Sequence, residues 1–263
     1  MFSDPIRRLV PVLLLIVSLF SCSVKEDRSG CPSVLTVDLR EANKKVPPGF
    51  LPFRISVYHS GDLLCDAVTD SSFWQCSVPR EDLLVRVAAI KDYNPEKNNL
   101  LTESGLLIPD GNDCPSIYWS LYQVGDPGEA ETIVPLPRKD FCRLSVSFIG
   151  VPPGAIPYDV KFVGNICGYD ANMNPLPGQF SFTCREECIV RLPRQKDASL
   201  RMDILSGGTT VRSFAIGHYI ESCGYDWTTE DLEDLDMEIN FAATTITLRS
   251  AMWTVVSYFE VMI

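Results

Sequence analysis

Histidine is scarce in this chain of 263 residues: only His59 and His218 occur. Neither belongs to a His-Glu-x-x-His pair, which excludes the common helical zinc-hydrolase site. Gly-x-Ser-x-Gly, Gly-x-Gly-x-x-Gly and P-loop strings are also missing, so no nucleophile elbow, dinucleotide fingerprint or phosphate cradle is written locally. No apolar run reaches the roughly 20 residues with which a helix crosses a bilayer. No long amphipathic helix pattern occurs, which argues against βαβ architecture. Basic residues are outnumbered, 23 Lys and Arg against 34 Asp and Glu, for a net charge of −11. Such a surface disfavours nucleic acid and anionic lipid. These absences point away from an enzyme and away from a nucleic-acid partner.

What is present is clearest at the N-terminus. Arg7 and Arg8 precede an uncharged run from Leu9 to Phe20. The run is too short to span a membrane and reads as the apolar core of a signal peptide covering residues 1–21. It ends in Leu19-Phe20-Ser21-Cys22, which resembles the lipobox of bacterial lipoproteins, where the Cys takes a diacylglycerol and the peptide is cut just before it. Each buried methylene contributes about 0.8 kcal/mol, so several acyl chains on Cys22 make a lasting tether. No other cofactor is expected. Residues 22–32 are polar and charged and read as an extended leash. The acids Glu26 and Asp27 so soon after the Cys resemble the surface-export signal of Bacteroides-type lipoproteins. The expected location is therefore the outer membrane, lipid-anchored and facing the cell surface. Without residues 1–21 the net charge becomes −12, from 21 basic and 33 acidic residues.

Ten cysteines occur, and nine remain if Cys22 is lipidated. An odd number leaves at least one thiol free or paired outside the chain, and spacing alone assigns no pairs. Cys184 and Cys188 are spaced loosely as a zinc half-site, but no matching pair follows. A local disulfide across a turn, or two unpaired thiols, suits an exported chain better. The acids from Glu230 to Glu238 lack the spacing and Gly of a calcium loop. Thr228 and Asp231 fit a loose capping box, so the sequence predicts a short helix over 229–234, with a weaker helical signal over 117–123. No metal is expected.

Elsewhere the pattern has period 2, the mark of half-buried strands. Leu35, Val37 and Leu39 form one such set; Phe53, Ile55 and Val57 another. Val85 and Val87, Leu144 and Val146, Val160 and Phe162, Met202 and Ile204, and Ile246 and Leu248 continue it. Ser60-Gly61-Asp62 and Ser206-Gly207-Gly208 are the expected tight turns. A Pro-led polar turn recurs before new strands at Val78-Pro79-Arg80, Leu136-Pro137-Arg138 and Leu192-Pro193-Arg194. This suggests similar β units used more than once. The expected fold is all-β, with one sandwich over 33–137 and a second over 138–263, each near the usual sandwich size.

Both ends of the chain resemble a known family. Cys22 to Arg28 followed by Cys31-Pro32, then Gly224-Tyr225-Asp226-Trp227, Asp231-Leu232-Glu233-Asp234, Ile239-Asn240-Phe241-Ala242, Thr245-Ile246-Thr247-Leu248 and Trp253-Thr254-Val255-Val256, are similar to FimB-type fimbrial anchor lipoproteins. The resemblance implies two transthyretin-like β-sandwiches in tandem. It also implies a role in anchoring Bacteroidales-type (type V) fimbriae to the outer membrane, influencing fimbrial length, with pilin subunits as partners. Such subunits join by strand addition, in which backbone hydrogen bonds hold the join and side-chain pockets select the partner. The strongly β-forming stretch Ser257, Tyr258, Phe259, Glu260, Val261, Met262 and Ile263 is the expected partner strand. The rival reading is a surface glycan-binding lipoprotein, which requires several solvent-facing aromatics on one face, with Trp74, Trp119, Trp227 and Trp253 as candidates. A lipid-anchored hydrolase would require carboxylates or a nucleophile converging in a cleft.

Overall fold

The computed structural model describes residues 30–91, 101–102, 104–150, 159–185, 188–240 and 243–258. In chain order the first half forms β1 (Ser33–Asp38), helix α1 (Arg40–Lys45), β2 (Phe53–His59), β3 (Asp62–Thr69), β4 (Phe73–Val78) and β5 (Leu83–Ile90). Next come β6 (Leu101–Thr102), β7 (Gly105–Leu107), β8 (Ile117–Val124), β9 (Ala130–Ile133) and β10 (Arg138–Lys139). The second half forms β11 (Phe141–Ile149), β12 (Asp159–Asp170), β13 (Pro175–Arg185), β14 (Cys188–Pro193), β15 (Arg201–Ser206) and β16 (Thr209–Phe214). Helix α2 (Ile216–Ser222), β17 (Leu235–Asn240), β18 (Thr245–Arg249) and β19 (Thr254–Tyr258) complete it. The chain is all-β, two sandwiches in tandem.

The two sandwiches share one topology. In the first, a sheet ordered β4-β1-β9 faces one ordered β10-β8-β5-β2-β3. In the second, β14-β11-β17 and β16-β15-β12 repeat these arrangements, with β13 on β12 as β3 lies on β2. Each carries a parallel pair in the same place, β1 with β9 and β11 with β17. The recurring Pro-led turn joins β4 to β5 and β14 to β15, so two of its three copies sit at equivalent corners. The third leads from one sandwich into the next. The second sandwich adds β18 and β19 beyond β17.

Period-2 sequence turns one face of each strand into a core. Leu35 and Val37 on β1, Phe53, Ile55 and Val57 on β2, and Val85 and Val87 on β5 fill the first core. Leu144, Val160, Phe162, Met202, Ile246 and Leu248 belong to the second. That second core also takes in Ala88, Cys114, Ile117 and Trp119 from the first half, so apolar packing is continuous across the junction. Strand pairing crosses residue 137 in both directions. β7 pairs with β12, and β10 pairs with β8. The β7 contact depends on two glycines without a Cβ. A methyl on Gly168 (φ +148°) would lie 2.0 Å from the Leu106 carbonyl oxygen, and one on Gly105 (φ +122°) 2.1 Å from that of Tyr169.

Both expected tight turns form, closing the β2–β3 and β15–β16 hairpins. Residues 117–123 are strand rather than helix. Their pairing with β5 on one side and with β10 on the other satisfies the backbone as a central strand. Residues 229–231 form a bend and 232–234 are irregular, so no helix forms there. The groups that would have capped one are bonded elsewhere. Asp231 accepts from the Lys139 backbone N–H at 2.7 Å, and Asp234 from that of Arg143 at 2.9 Å. Helices α1 and α2 were not foreseen; each is two turns or fewer, too short to show a period. The residues expected to form a last strand over 259–263 lie outside the described residues.

Candidate partner-binding edge

The second sandwich ends in an exposed edge strand. β18 supplies Ile246 and Leu248 to the core, and the turn after it is closed by the Ser250 N–H donating to the Trp253 carbonyl at 2.9 Å. β19 then runs Thr254-Val255-Val256-Ser257-Tyr258, rich in the β-branched and aromatic residues that favour strands. It pairs antiparallel with β18, setting Val255 opposite Leu248 and Ser257 opposite Ile246, on the core side. Val256 and Tyr258 point the other way and are 52% and 79% exposed. Among the described residues β19 pairs on one side only. A sheet edge offers unpaired N–H and C=O groups to any incoming strand, and most proteins guard such edges with charge. β19 carries no charged side chain.

Of the expected partner residues, Ser257 and Tyr258 lie on this edge; Phe259, Glu260, Val261, Met262 and Ile263 are outside the described residues. So is the expected lipidation site, Cys22, with the leash up to Ser29. A buried charged knot lies where the two sandwiches meet. Asp140, fully buried, accepts through Oδ1 from Arg194 at 2.6 and 2.9 Å, and through Oδ2 from Arg138 at 2.8 Å and from the Trp119 indole. Arg194 also donates to the carbonyls of Trp227, Thr229 and Glu230, pinning the loop that leads into β17. A Tyr169 hydroxyl bridges the Asp140 carbonyl and the Arg194 N–H. Sequence reasoning noticed Arg138, Asp140 and Arg194 only as turn residues. The signal available was two Pro-Arg turns, but nothing showed that one carboxylate would join them.

The other candidates are dispersed. His59 sits at the end of β2, its Nε2 2.7 Å from Glu81 and its Nδ1 3.1 Å from the Asp82 carbonyl. The Ser60 hydroxyl lies 3.3 Å from the same Nε2, where it shares that nitrogen with Glu81, and a backbone carbonyl instead of a carboxylate faces Nδ1, which is not the order of a Ser-His-Asp triad. His218 is exposed on α2, not on a strand. Cys184 and Cys188 are joined in a disulfide that ties β13 to β14. The acids from Glu230 onward serve the sandwich junction: Lys45 on α1 reaches Glu230 at 2.8 Å and Asp231 at 3.0 Å. Among the described residues no three His, Cys, Asp or Glu gather as metal ligands. Trp119 and Trp227 are buried and Trp74 and Trp253 half-buried, so the four Trp do not build a solvent-facing platform.

No protein-family model matches the chain, and no curated protein sequence does either. Solved structures do match. The fimbrial anchor protein Mfa2 from Porphyromonas gingivalis aligns over 87% of this chain and 100% of its own, with a TM-score of 0.56 at 14% identity. A candidate adhesin from Bacteroides ovatus aligns over 86% and 95%, with a TM-score of 0.56 at 10% identity. A candidate polysaccharide-binding protein from Bacteroides thetaiotaomicron aligns over 87% and 98%, again at 0.56, with 12% identity. The chain shares their fold. Alignment over nearly the whole of each partner means that both sandwiches, and not one alone, are common to them.

Proposed function

We propose that this protein is an outer-membrane lipoprotein that holds the base of a surface fimbria. A lipid on Cys22 tethers it, the leash over 22–32 spaces the sandwiches from the bilayer, and the β19 edge continuing through 257–263 receives or supplies a strand to a pilin subunit. The observation that carries this reading is the edge itself: uncharged, with Val256 and Tyr258 exposed, on a strand added beyond the repeated sandwich. The fold held in common with a fimbrial anchor protein supports the same direction. Strand addition suits an anchor because many backbone hydrogen bonds form at once while the side chains select the partner.

The test is to delete the gene and quantify fimbriae on washed cells and in the medium. The expected result is shedding into the medium, with retention restored by the wild type but not by Cys22→Ala. A chain lacking residues 257–263 is expected to stay lipidated and folded yet to release pilin. Fimbriae retained unchanged on the deletion strain would overturn the anchor reading, and pilin held by the truncated chain would overturn the role of the edge.

A further inference from the structure

The two sandwiches differ at one corner in a way that suggests covalent chemistry. In each, the chain leaves the edge of one sheet and enters the edge of the facing sheet, from β3 to β4 and from β13 to β14. In the second sandwich this corner is closed by the Cys184–Cys188 disulfide. In the first, β3 and β4 also carry one cysteine each, Cys65 and Cys76. Cys65 pairs across β2 with Val57, and Cys76 across β1 with Leu35. Val57 and Leu35 are fully buried, and cross-strand partners project to the same face of a sheet. Both thiols therefore point into the space between the sheets, where both pack against the first core. Both are free, half-buried thiols on the facing inner sides of the same corner.

We propose that Cys65 and Cys76 are a disulfide-forming pair that staples the two sheets of the first sandwich, as Cys184–Cys188 staples those of the second. The positions are related but not identical. Ser33 opposite Val78 and Cys142 opposite Leu192 align Cys76 with Val190, one inward step deeper than Cys188. The staple thus lies further from the corner and closes a longer loop, eleven residues in separation against four. A cross-link constrains the unfolded chain more as the loop it closes lengthens.

The chemistry balances with a low-molecular-weight disulfide as oxidant. One thiol loses its proton and its thiolate attacks oxidised glutathione, expelling a glutathione thiolate. The second thiol then loses its proton and attacks the mixed disulfide, expelling the other. Two protein thiols become one S–S bond, and one glutathione disulfide becomes two glutathione thiols. Burial first, with the neighbouring Cys65 thiol contributing less, pushes the Cys76 thiol up to about 12, so closure is slow and needs long exposure to oxidant.

The sequence makes the test simple. No Lys or Arg lies between Arg54 and Arg80, so trypsin releases both cysteines in one peptide, residues 55–80. Folded full-length protein is held with oxidised glutathione overnight, then denatured with iodoacetamide without reduction and digested. The expected peptide carries no carbamidomethyl group and is two hydrogens lighter than the dithiol. Two carbamidomethyl groups on that peptide, or either cysteine linked to another peptide, would overturn the proposal. As a second readout, the oxidised wild type should melt several degrees above a Cys65→Ser, Cys76→Ser double variant that keeps the 184–188 bridge. Equal melting temperatures would mean that no staple forms.

Discussion

The first and second sandwiches are built on the same seven strands, yet they bear different loads. Between its own two sheets the first holds a core cluster of its own, and its edge strand β3 carries Asp62 and Asp66. The second holds the junction, accepts β6 and β7 from its neighbour, and extends into an uncharged edge. The contrast is sharpest at the repeated Pro-Arg turn. Arg194 is buried against Asp140 in the second sandwich. The strand registers place Arg80 at the equivalent point of the first, and Cys31 where Asp140 stands. Arg80 Nε, though buried, has no hydrogen-bond partner among the described residues. One scaffold thus carries a charged knot where the sandwiches meet and does without it where they do not.

Asp140→Asn should break this comparison most severely. The amide keeps one acceptor but turns an N–H toward a guanidinium, leaving Arg194 a buried charge with no carboxylate. Removing one partner of a buried pair costs about 3–5 kcal/mol. Arg80→Met should change stability by only about 0.5 kcal/mol in either direction, as for sites outside such a network. Urea unfolding of the two variants measures both; equal effects would mean that the knot is not what distinguishes the halves.

Next in size is the seam made by β7. Gly168→Ala places a methyl against the Leu106 carbonyl in a backbone region that side chains rarely adopt. Strain of this kind costs about 1–3 kcal/mol. The loss should appear first as faster amide exchange at residues 101–102 and 104–107, the strands that meet Gly168 through β7.

How far the sequence foretold this arrangement follows from where the information lies. Strands announced themselves because burial on one face forces period 2, and Leu35 to Leu39 or Phe53 to Val57 could hardly be read otherwise. The repeated turns were visible because Pro and Arg recur at strand ends. The residues of 229–234 misled because capping is a local inference. Their carboxylates bind backbone N–H groups about ninety positions earlier, and no local rule anticipates that. β6 has two residues and β7 three, too few for any period. Of the candidate edge, the sequence pointed to a strand over 257–263, whereas β19 already begins at Thr254; that it lies outermost in its sheet depends on β17 pairing in parallel with β11, a contact between distant segments.

A smaller effect concerns acid. Asp66 in the first sandwich is pushed upward by burial, but hydrogen bonds from Arg54 and Ser56 and the Arg54 charge outweigh this and hold its pKa below the usual carboxylate value. A carboxyl depressed in the folded state contributes stability that is complete above its unfolded pKa and is lost as pH falls through the folded one. The wild type should therefore lose stability below about pH 4, and Asp66→Asn should flatten that limb while lowering stability modestly at neutral pH. Unfolding midpoints measured from pH 6 down to pH 3 would show it.

The smallest effect on stability should come from the edge that matters most to the proposed function. Val256→Lys adds charge to an outward-facing position that is half exposed, with neither core disturbed. Surface changes of this kind usually stay within about 0.5 kcal/mol, so unfolding should scarcely move. A lysine on an edge strand is nevertheless among the most effective obstacles to a second strand docking beside it. The equivalent charge on the first sandwich's edge, Val68→Lys on β3, should leave pilin retention intact, because that edge already presents Asp62 and Asp66. If both variants hold fimbriae on the cell as the wild type does, the uncharged edge of the second sandwich is not the joint. If only Val256→Lys releases them while both fold normally, the division of labour between the sandwiches is functional as well as structural.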